Sequence, residues 1–167
     1  MNMAKFHFFR FEDCEDGKMA VMESVDEHYP VNICTDNYEE VADLQECDVE
    51  IDVYGIGSDI EVFESEETFA AKPDNHMAPI SLIPVGTFAI EANKDTFEPS
   101  PHVLFAGRVI SVERNPEDSE DQPNFLLGVE TLGMTLNLYL RYEGDIQLGF
   151  IVYGIAWLFG DIEKIIT

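Results

Sequence analysis

Positive charge is the scarcest property of this sequence, which contains 9 Lys and Arg residues against 34 Asp and Glu residues. The formal net charge is therefore −25. A protein that binds nucleic acid through a basic face needs clustered cations to neutralise the phosphates. So few cations among so many anions do not form such a face, and we expect no direct nucleic-acid binding.

Long apolar runs are missing as well. No stretch approaches the roughly 20 apolar residues of a membrane-spanning helix, and no basic segment followed by an apolar core lies near Met1. We therefore expect no membrane insertion and no secretion signal, and we predict a cytoplasmic protein. The hydrophobic content of 46% nevertheless exceeds that of acidic disordered tails, which predicts a folded globular protein.

Cysteine is rare, and its count is odd. The three residues, Cys14, Cys34 and Cys47, form no CxxC pair, whereas a disulfide framework has an even number of cysteines. The sequence therefore predicts reduced thiols, as is usual in a cytoplasm. The cysteines and the four histidines do not match the ligand spacings of zinc sites, and we expect no metal site and no cofactor. The histidines are His7, His28, His76 and His102.

Motifs of catalysis and phosphate binding are absent too. There is no G-x-S-x-G nucleophile motif and no glycine pattern that cradles a phosphate. A twelve-residue calcium loop that begins at Glu12 would place Gly17 sixth and Glu23 last, but Cys14 then takes a position that needs an oxygen ligand. An exposed acidic hairpin turn is the favoured interpretation of this segment, and the sequence gives no indication of an enzyme.

The acidic residues are concentrated towards the N-terminal end. Residues 1–70 contain 20 acidic and 3 basic residues, whereas residues 125–167 contain 5 and 2. Such a charge asymmetry is informative about the surface that a protein offers to partners.

Alternating side chains predict a β-hairpin at this end. Phe6 and Phe8 alternate with polar residues, and Phe9 and Phe11 continue on the opposite parity, which indicates a strand with a shift of face or a bulge. A second strand is expected over residues 19–25.

One helix is expected near residues 37–46. Asp36 can accept hydrogen bonds from the free amides of its first turn, and Tyr38, Val41 and Leu44 follow at helical spacing. This spacing predicts a helix of about ten residues.

Strict alternation over Asp48–Tyr54 then predicts a half-buried strand. Residues 55–58 are expected to break this strand before the alternation resumes over residues 59–63, and Ser65 can begin one short helical turn.

The rest of the chain is expected to be rich in β-structure. Proline-containing residues 73–84 are interpreted as a link between an acidic N-terminal region, residues 1–72, and an apolar region, residues 85–167. The two regions either fold separately or share one core. The fold class is therefore mainly β, of the α+β type. Further strands are expected over residues 83–90, 102–114, 125–132, 134–142 and 150–159, with an acidic loop over residues 115–124.

Four C-terminal segments share a rhythm of alternating apolar residues and glycines, and they begin at Gly107 (GRVISVE), Leu127 (LGVETL), Thr135 (TLNLYL) and Gly149 (GFIVYG). This rhythm resembles that of a small OB-type barrel. A glycine inside a long first strand that must coil sharply is typical of that fold. The resemblance covers residues 100–167, or residues 83–167 if the strand expected over residues 83–90 belongs to the barrel, and it implies an OB-like or related small antiparallel barrel. It does not imply the oligonucleotide binding common among OB barrels, because a fold alone does not determine a function.

The acidic N-terminal faces are the main functional candidate. Complementary charge speeds the encounter of two proteins and selects the partner. We therefore expect a non-catalytic interaction protein that binds a basic protein, as an immunity-type or nucleic-acid-mimicking inhibitor does. The candidate partner-binding residues are Glu12, Asp13, Glu15, Asp16, Glu39, Glu40, Asp43, Glu46, Glu61, Glu64, Glu66 and Glu67.

Other interpretations stay open at this point. The carboxylates can serve solubility alone. The barrel can bind a small ligand or a protein through its apolar and aromatic face. An enzyme whose site is assembled from residues that no local motif reveals is the third alternative.

Overall fold

The computed structural model describes residues 3–14, 17–72, 78–85, 100–114, 122–132 and 134–166. Strands contain 67% of these residues and helices 7%, so the predicted mainly β class is confirmed. The strands are β1 (Met3–Cys14), β2 (Gly17–Ser24), β3 (Pro30–Thr35), β4 (Cys47–Phe63), β5 (Ser81–Val85), β6 (His102–Arg114), β7 (Phe125–Thr131), β8 (Met134–Leu140) and β9 (Ile151–Ile166). The helices are α1 (Tyr38–Val41) and α2 (Glu66–Ala70). In the described part of the chain, both helices are far too short to cross a membrane.

The strands form a mixed sheet that is hydrogen-bonded in the order β1-β2-β3-β9-β4-β8-β7-β6-β5, with additional pairings of β1 with β4 and of β9 with β6. The β3–β9 and β4–β8 pairs are parallel. The chain divides into two compact units. Unit 1 consists of Met1–Val53, Pro84–Val103 and Leu158–Thr167, and unit 2 consists of Tyr54–Ile83 and Leu104–Trp157. The predicted boundaries at residues 1–72, 73–84 and 85–167 stay a prediction.

Two long strands contribute to both units. The first part of β4 belongs to unit 1 and its second part to unit 2, whereas β9 begins in unit 2 and ends in unit 1. Each unit is therefore assembled from segments that are far apart in the sequence.

In unit 1, the predicted N-terminal hairpin and its shift of face are confirmed. β1 and β2 pair antiparallel, and their register shifts between Phe8 and Arg10. The extra residue, Phe9, is 39% exposed, whereas Phe8 is fully buried. A bulge of this kind turns the following side chains to the other face of the strand. The buried apolar residues of unit 1 include Phe6, Phe8, Met19, Met22, Val31, Ile33, Val49, Ile51, Val53, Leu158 and Ile162.

The helix expected near residues 37–46 is present, but its predicted length is wrong. α1 has only 4 residues and none of them is buried, so it has no apolar face that would stabilise further turns. The predicted cap is wrong as well, because Asn37 and not Asp36 takes the N-cap position, without a side-chain cap. The Asn37 side chain instead exchanges two hydrogen bonds of 3.0 Å with the backbone of Ile162 on β9.

The break predicted at residues 55–58 is also wrong, because β4 continues through them. Its alternation is confirmed, since Val49, Ile51 and Val53 are buried. A Cβ atom at Gly55 would lie 3.3 Å from the Ala156 side chain, so this glycine serves close packing within unit 2 and does not end the strand. The short helical turn expected after Ser65 is confirmed as α2, whose Thr68 amide donates to the Ser65 hydroxyl.

Unit 2 contains most of the strand that was expected over residues 102–114, which begins in unit 1, and the strands expected over residues 125–132 and 134–142. Each of the three is confirmed within two residues. The strand expected over residues 150–159 is longer than predicted and continues to Ile166 in unit 1. Of the strand expected over residues 83–90, the part up to Val85 is described, and residues 86–90 lie outside the described residues, as do residues 115–121 of the acidic loop. The buried apolar residues of unit 2 include Phe69, Phe105, Val109, Leu127, Val129, Leu136, Leu138, Ile151, Val152 and Ala156.

Candidate functional site

The structure distributes the predicted partner-binding residues over both units. Unit 1 contains 20 acidic and 5 basic residues, a net charge of −15, and unit 2 contains 14 and 4, a net charge of −10. Glu15 and Asp16 lie outside the described residues. Unit 1 holds Glu12, Asp13, Glu39, Glu40, Asp43 and Glu46, and unit 2 holds Glu61, Glu64, Glu66 and Glu67.

Several of these carboxylates already have a cation beside them. In the hairpin, Glu12 accepts from Arg10 at 3.3 Å, and Asp13 forms an ion pair with Lys18. In unit 2, Glu61 pairs with Lys72 and Glu66 with Arg108. Exposed pairs of this kind contribute little to stability, but they reduce the negative charge that a partner would meet.

The carboxylates around α1 differ from those of the hairpin. Glu39, Glu40 and Asp43 are exposed, and no Lys, Arg or His of the described residues forms an ion pair with them. The turn is fixed to the end of β9, because the Asp36 amide donates to the Gly160 carbonyl at 3.0 Å and Asn37 binds the backbone of Ile162. This fixation brings Asp161 close to Asp36 and Glu40. We call Asp36, Glu39, Glu40, Asp43 and Asp161 the α1 patch.

Within the α1 patch, the pKa of Asp161 is changed by its surroundings. Desolvation raises the pKa of Asp161 above its ordinary value, and repulsion by Asp36 and Glu40 raises it further. Like charges are thus held near one another, and a bound cation would relieve their repulsion.

Glu46 lies at the edge of this region and contacts a histidine. His7 on β1 is directly opposite Asp48 on β4, and its Nδ1 lies 2.7 Å from Asp48 Oδ1. Its Nε2 lies 3.0 Å from Glu46 Oε2. The hydrogen bond to Asp48, followed by that to Glu46, raises the pKa of His7 above its ordinary value of 6.5. The neighbouring Phe9 ring contacts the imidazole edge-on, with 4.9 Å between the ring centroids.

Unit 2 carries an open groove with aromatic walls that sequence reasoning did not locate. Its volume is about 420 Å³. The Arg114 guanidinium lies 5.3 Å above the Phe125 ring and forms an ion pair with Asp145, and Tyr139 is 38% exposed at the groove. The lining residues are Glu113, Arg114, Pro123, Phe125, Leu126 and Tyr139. A second open groove of about 490 Å³ lies beside Tyr153, whose ring is 4.5 Å from Lys72 Nζ.

Two of the three cysteines come together, which sequence spacing could not indicate. Cys14 at the end of β1 and Cys34 on β3 place their Sγ atoms 3.3 Å apart. Cys47 lies opposite Phe8, near the other end of the β1–β4 pair. Because strand register and not sequence spacing creates the Cys14–Cys34 contact, only the order of strands β1, β2 and β3 could have revealed it.

The acidic hairpin does not resemble a calcium loop, because Glu12 lies in β1 opposite Met19 and Cys14 lies opposite Gly17 in a regular strand pair. Within the described ranges, no three His, Cys, Asp or Glu side chains are arranged to hold a metal ion.

Comparison of the chain with models of known protein families, with curated proteins and with solved structures finds no match. The functional proposal therefore depends on the residues and distances given above.

Proposed function

We propose that this protein is a non-catalytic interaction protein whose α1 patch binds a basic protein partner. The observation that carries the proposal is the group of exposed carboxylates Glu39, Glu40 and Asp43, which form no ion pair with a cation among the described residues. Glu40 is also close enough to Asp161 that its repulsion helps to raise the pKa of Asp161. A partner of this kind is one that otherwise binds nucleic acid, and the protein would act on it as an immunity-type or nucleic-acid-mimicking inhibitor.

The net negative charge of unit 1 attracts a basic protein before the two molecules are in contact, as well as within the complex. A surplus of 15 negative charges in one compact unit creates a field that steers a basic protein towards it. The field decays over a Debye length of about 8 Å at physiological salt. Binding through such a surface is therefore salt-dependent, and its strength is set by the charges nearest to the partner.

The test is capture of basic proteins from native lysate by three baits at low salt and at about 0.5 M salt, where screening is stronger than at physiological ionic strength. The first bait is the wild-type protein. The second is a neutral variant of the α1 region, and the third is a matched variant with the same change of net charge elsewhere. The α1 variant is Glu39→Gln, Glu40→Gln, Asp43→Asn and Glu46→Gln, and the control is Asp26→Asn, Glu27→Gln, Glu64→Gln and Glu67→Gln.

We expect the α1 variant to lose affinity on the order of tenfold, because four exposed ion pairs contribute about 0.2–1 kcal/mol each. The control variant should bind as the wild-type protein does. A partner set that is neutral, that is insensitive to salt, or that responds equally to both variants contradicts the proposal.

We also propose that each unit is an OB-like five-stranded barrel, which extends to unit 1 the resemblance found for residues 100–167. In support of this, the hydrogen-bonded strands of each unit return to the strand from which they start. The order is β1-β2-β3-β9-β4-β1 in unit 1 and β4-β8-β7-β6-β9-β4 in unit 2. The short helix between the third and fourth strands of unit 1 agrees with the position of the helix that often interrupts OB barrels. An OB barrel is a small five-stranded barrel that binds its ligands through one face of its strands and through the adjoining loops.

The groove at Phe125 and Tyr139 favours a second candidate function, the binding of a small ligand or a peptide by unit 2. Aromatic walls beside an arginine suit a planar group that stacks on them. This function predicts that a Phe125→Leu, Tyr139→Ser double variant loses binding while the α1 variant retains it. The docking proposal predicts the reverse result for the same pair of proteins.

A further inference from the structure

The pair of cysteines on β1 and β3 carries an inference that does not depend on the docking proposal. The Sγ atoms of Cys14 and Cys34 lie 3.3 Å apart, within van der Waals contact. A disulfide bond is about 2.05 Å long, so the two sulfurs need to approach by only about 1.3 Å. Their strands both pair with β2, Cys14 opposite Gly17 and Cys34 opposite Met19.

The local structure leaves space for this small approach. Cys14 is the last residue of β1, where the strand is held on one side by the hairpin. A Cβ atom at Gly17, its partner on β2, would meet no atom of the described residues within 4 Å, so this end of the hairpin is not tightly packed. Cys34 is fixed within β3 and is only 6% exposed. The pair therefore consists of a half-buried thiol at the end of β1 and a buried thiol in contact with it.

We propose that Cys14 and Cys34 are a redox modification site that forms a reversible disulfide between β1 and β3, with hydrogen peroxide or a small-molecule disulfide as oxidant. Cys14 is the residue that meets the oxidant, and Cys34 is the resolving thiol.

The chemistry balances with peroxide as the oxidant. The Cys14 thiolate attacks one peroxide oxygen, the O–O bond breaks, and Cys14 becomes a sulfenic acid as one water is released. The Cys34 thiolate then attacks the Cys14 sulfur, the S–O bond breaks, and a second water leaves as the S–S bond forms. The two thiols lose two electrons and two protons in total, and a dithiol reductant reverses the change.

Cys47 is excluded as a member of the pair by its position. It lies opposite Phe8, six residues before Cys14 on β1, which corresponds to about 20 Å along a strand. Burial, and to a smaller extent Asp48, also raises the pKa of the Cys47 thiol, which reduces its thiolate fraction. The third cysteine therefore serves as an internal control.

The test begins with the fully reduced chain under native conditions. The protein is treated with an equimolar amount of hydrogen peroxide, remaining thiols are alkylated in denaturant, and the digested peptides are identified by mass spectrometry. We expect one crosslink, between the peptides that contain Cys14 and Cys34, with Cys47 alkylated. Cys47→Ser should keep this crosslink, and Cys14→Ser and Cys34→Ser should each abolish it.

The unfolded chain supplies the control for geometry. In guanidinium chloride, the cysteines that pair most readily are those joined by the shortest loop. Cys34 and Cys47 are 13 positions apart in the sequence, whereas Cys14 and Cys34 are 20 positions apart. The shorter loop closes about twofold more readily, so unfolding should change the dominant pair. The proposal is overturned if the native protein forms a pair with Cys47. It is equally overturned if all three thiols stay reduced at peroxide amounts that oxidise a reference dithiol, or if Cys14 proceeds to sulfinic acid while Cys34 can still be alkylated.

Discussion

At the scale of residues, neighbours across strands determine the charge state of the polar surface. His7 illustrates this, because its two ring nitrogens contact Asp48 and Glu46, which lie 41 and 39 positions away in the sequence. The sequence placed Glu46 on a helix face and His7 in a strand, and it contained no sign that they meet. Contacts of this kind depend on strand register, which single-residue patterns do not specify.

The contact of His7 predicts a pH dependence of stability. The pKa of His7 is raised by its hydrogen bond to Asp48 and then by that to Glu46. A raised folded-state pKa means that protonated His7 stabilises the fold, fully below about pH 6.5, the ordinary value, and decreasingly as the pH rises through the folded-state pKa. Wild-type protein should therefore exceed His7→Gln in stability at about pH 5–6, by less than about 1 kcal/mol because the groups are exposed, and this difference should vanish at higher pH.

Thermal melts at several pH values and an NMR titration of His7 check this prediction. Asp48→Asn should lower the pKa of His7, whereas Glu50→Gln, on the same strand and opposite Lys5, is the matched control and should leave it unchanged. A stability difference that grows with rising pH would contradict the assignment.

At the scale of elements, the strands followed the sequence pattern and the main helix did not. The alternation of Val49, Ile51 and Val53 predicted a half-buried strand because side chains of a strand alternate between its faces. The helix at residue 37 was predicted too long because the pattern contains no information about Asn37, whose side chain binds the backbone of Ile162. That tertiary interaction fixes the start of α1, and the absence of buried residues limits its length.

Glycines inside strands were the second source of error at this scale. Gly55 was interpreted as a break, yet it packs against Ala156. Gly107, by contrast, was correctly placed inside a long strand, and a Cβ atom there would lie 2.4 Å from Val129 Cγ1 and 2.7 Å from the Glu130 carbonyl oxygen. A glycine in a sequence therefore indicates either a turn or a close contact, and only the neighbouring strand distinguishes the two.

The close contact at Gly107 predicts a large effect of one methyl group. Gly107→Ala should lower the free energy of unfolding by about 1–3 kcal/mol, because the backbone of Glu130 has to move. Gly55→Ala should have a smaller effect, since its nearest neighbours are side-chain atoms at 3.3 Å or more. Denaturant unfolding of the two variants measures the two losses of unfolding free energy. A loss for Gly107→Ala that is no larger than the loss for Gly55→Ala would contradict the prediction.

At the scale of the whole molecule, each unit combines segments that are distant in the chain. Unit 1 needs Leu158–Thr167 in addition to Met1–Val53. A reading of the sequence in contiguous blocks could not find this division, because parallel pairing of β3 with β9 joins residues more than a hundred positions apart. For the same reason, the sequence could indicate which residues are acidic but not which of them share the α1 patch.

This assembly predicts an effect of truncation. Removal of residues 158–167 deletes the buried Leu158 and Ile162 and the backbone partners of Asp36 and Asn37. The loss of each large buried side chain destabilises by about 2–5 kcal/mol, so unit 1 should unfold. Amide hydrogen exchange should show loss of protection in β1, β2 and β3. The control is removal of residues 164–167, whose described members are not buried, and it should leave protection unchanged.

The use of the end of β9 by unit 1 also determines when this protein can fold during its synthesis. A ribosome produces the N-terminal hairpin and β3 first, but the strand that pairs with Cys34 and Thr35 is made only after Phe159 and Gly160 have been added. Until then β3 presents an unpaired edge to its surroundings, and an unpaired edge is open to pairing with other chains. Unit 1 therefore cannot be completed before this part of β9 has been made, and the nascent chain requires protection of that edge until Phe159 and Gly160 have emerged.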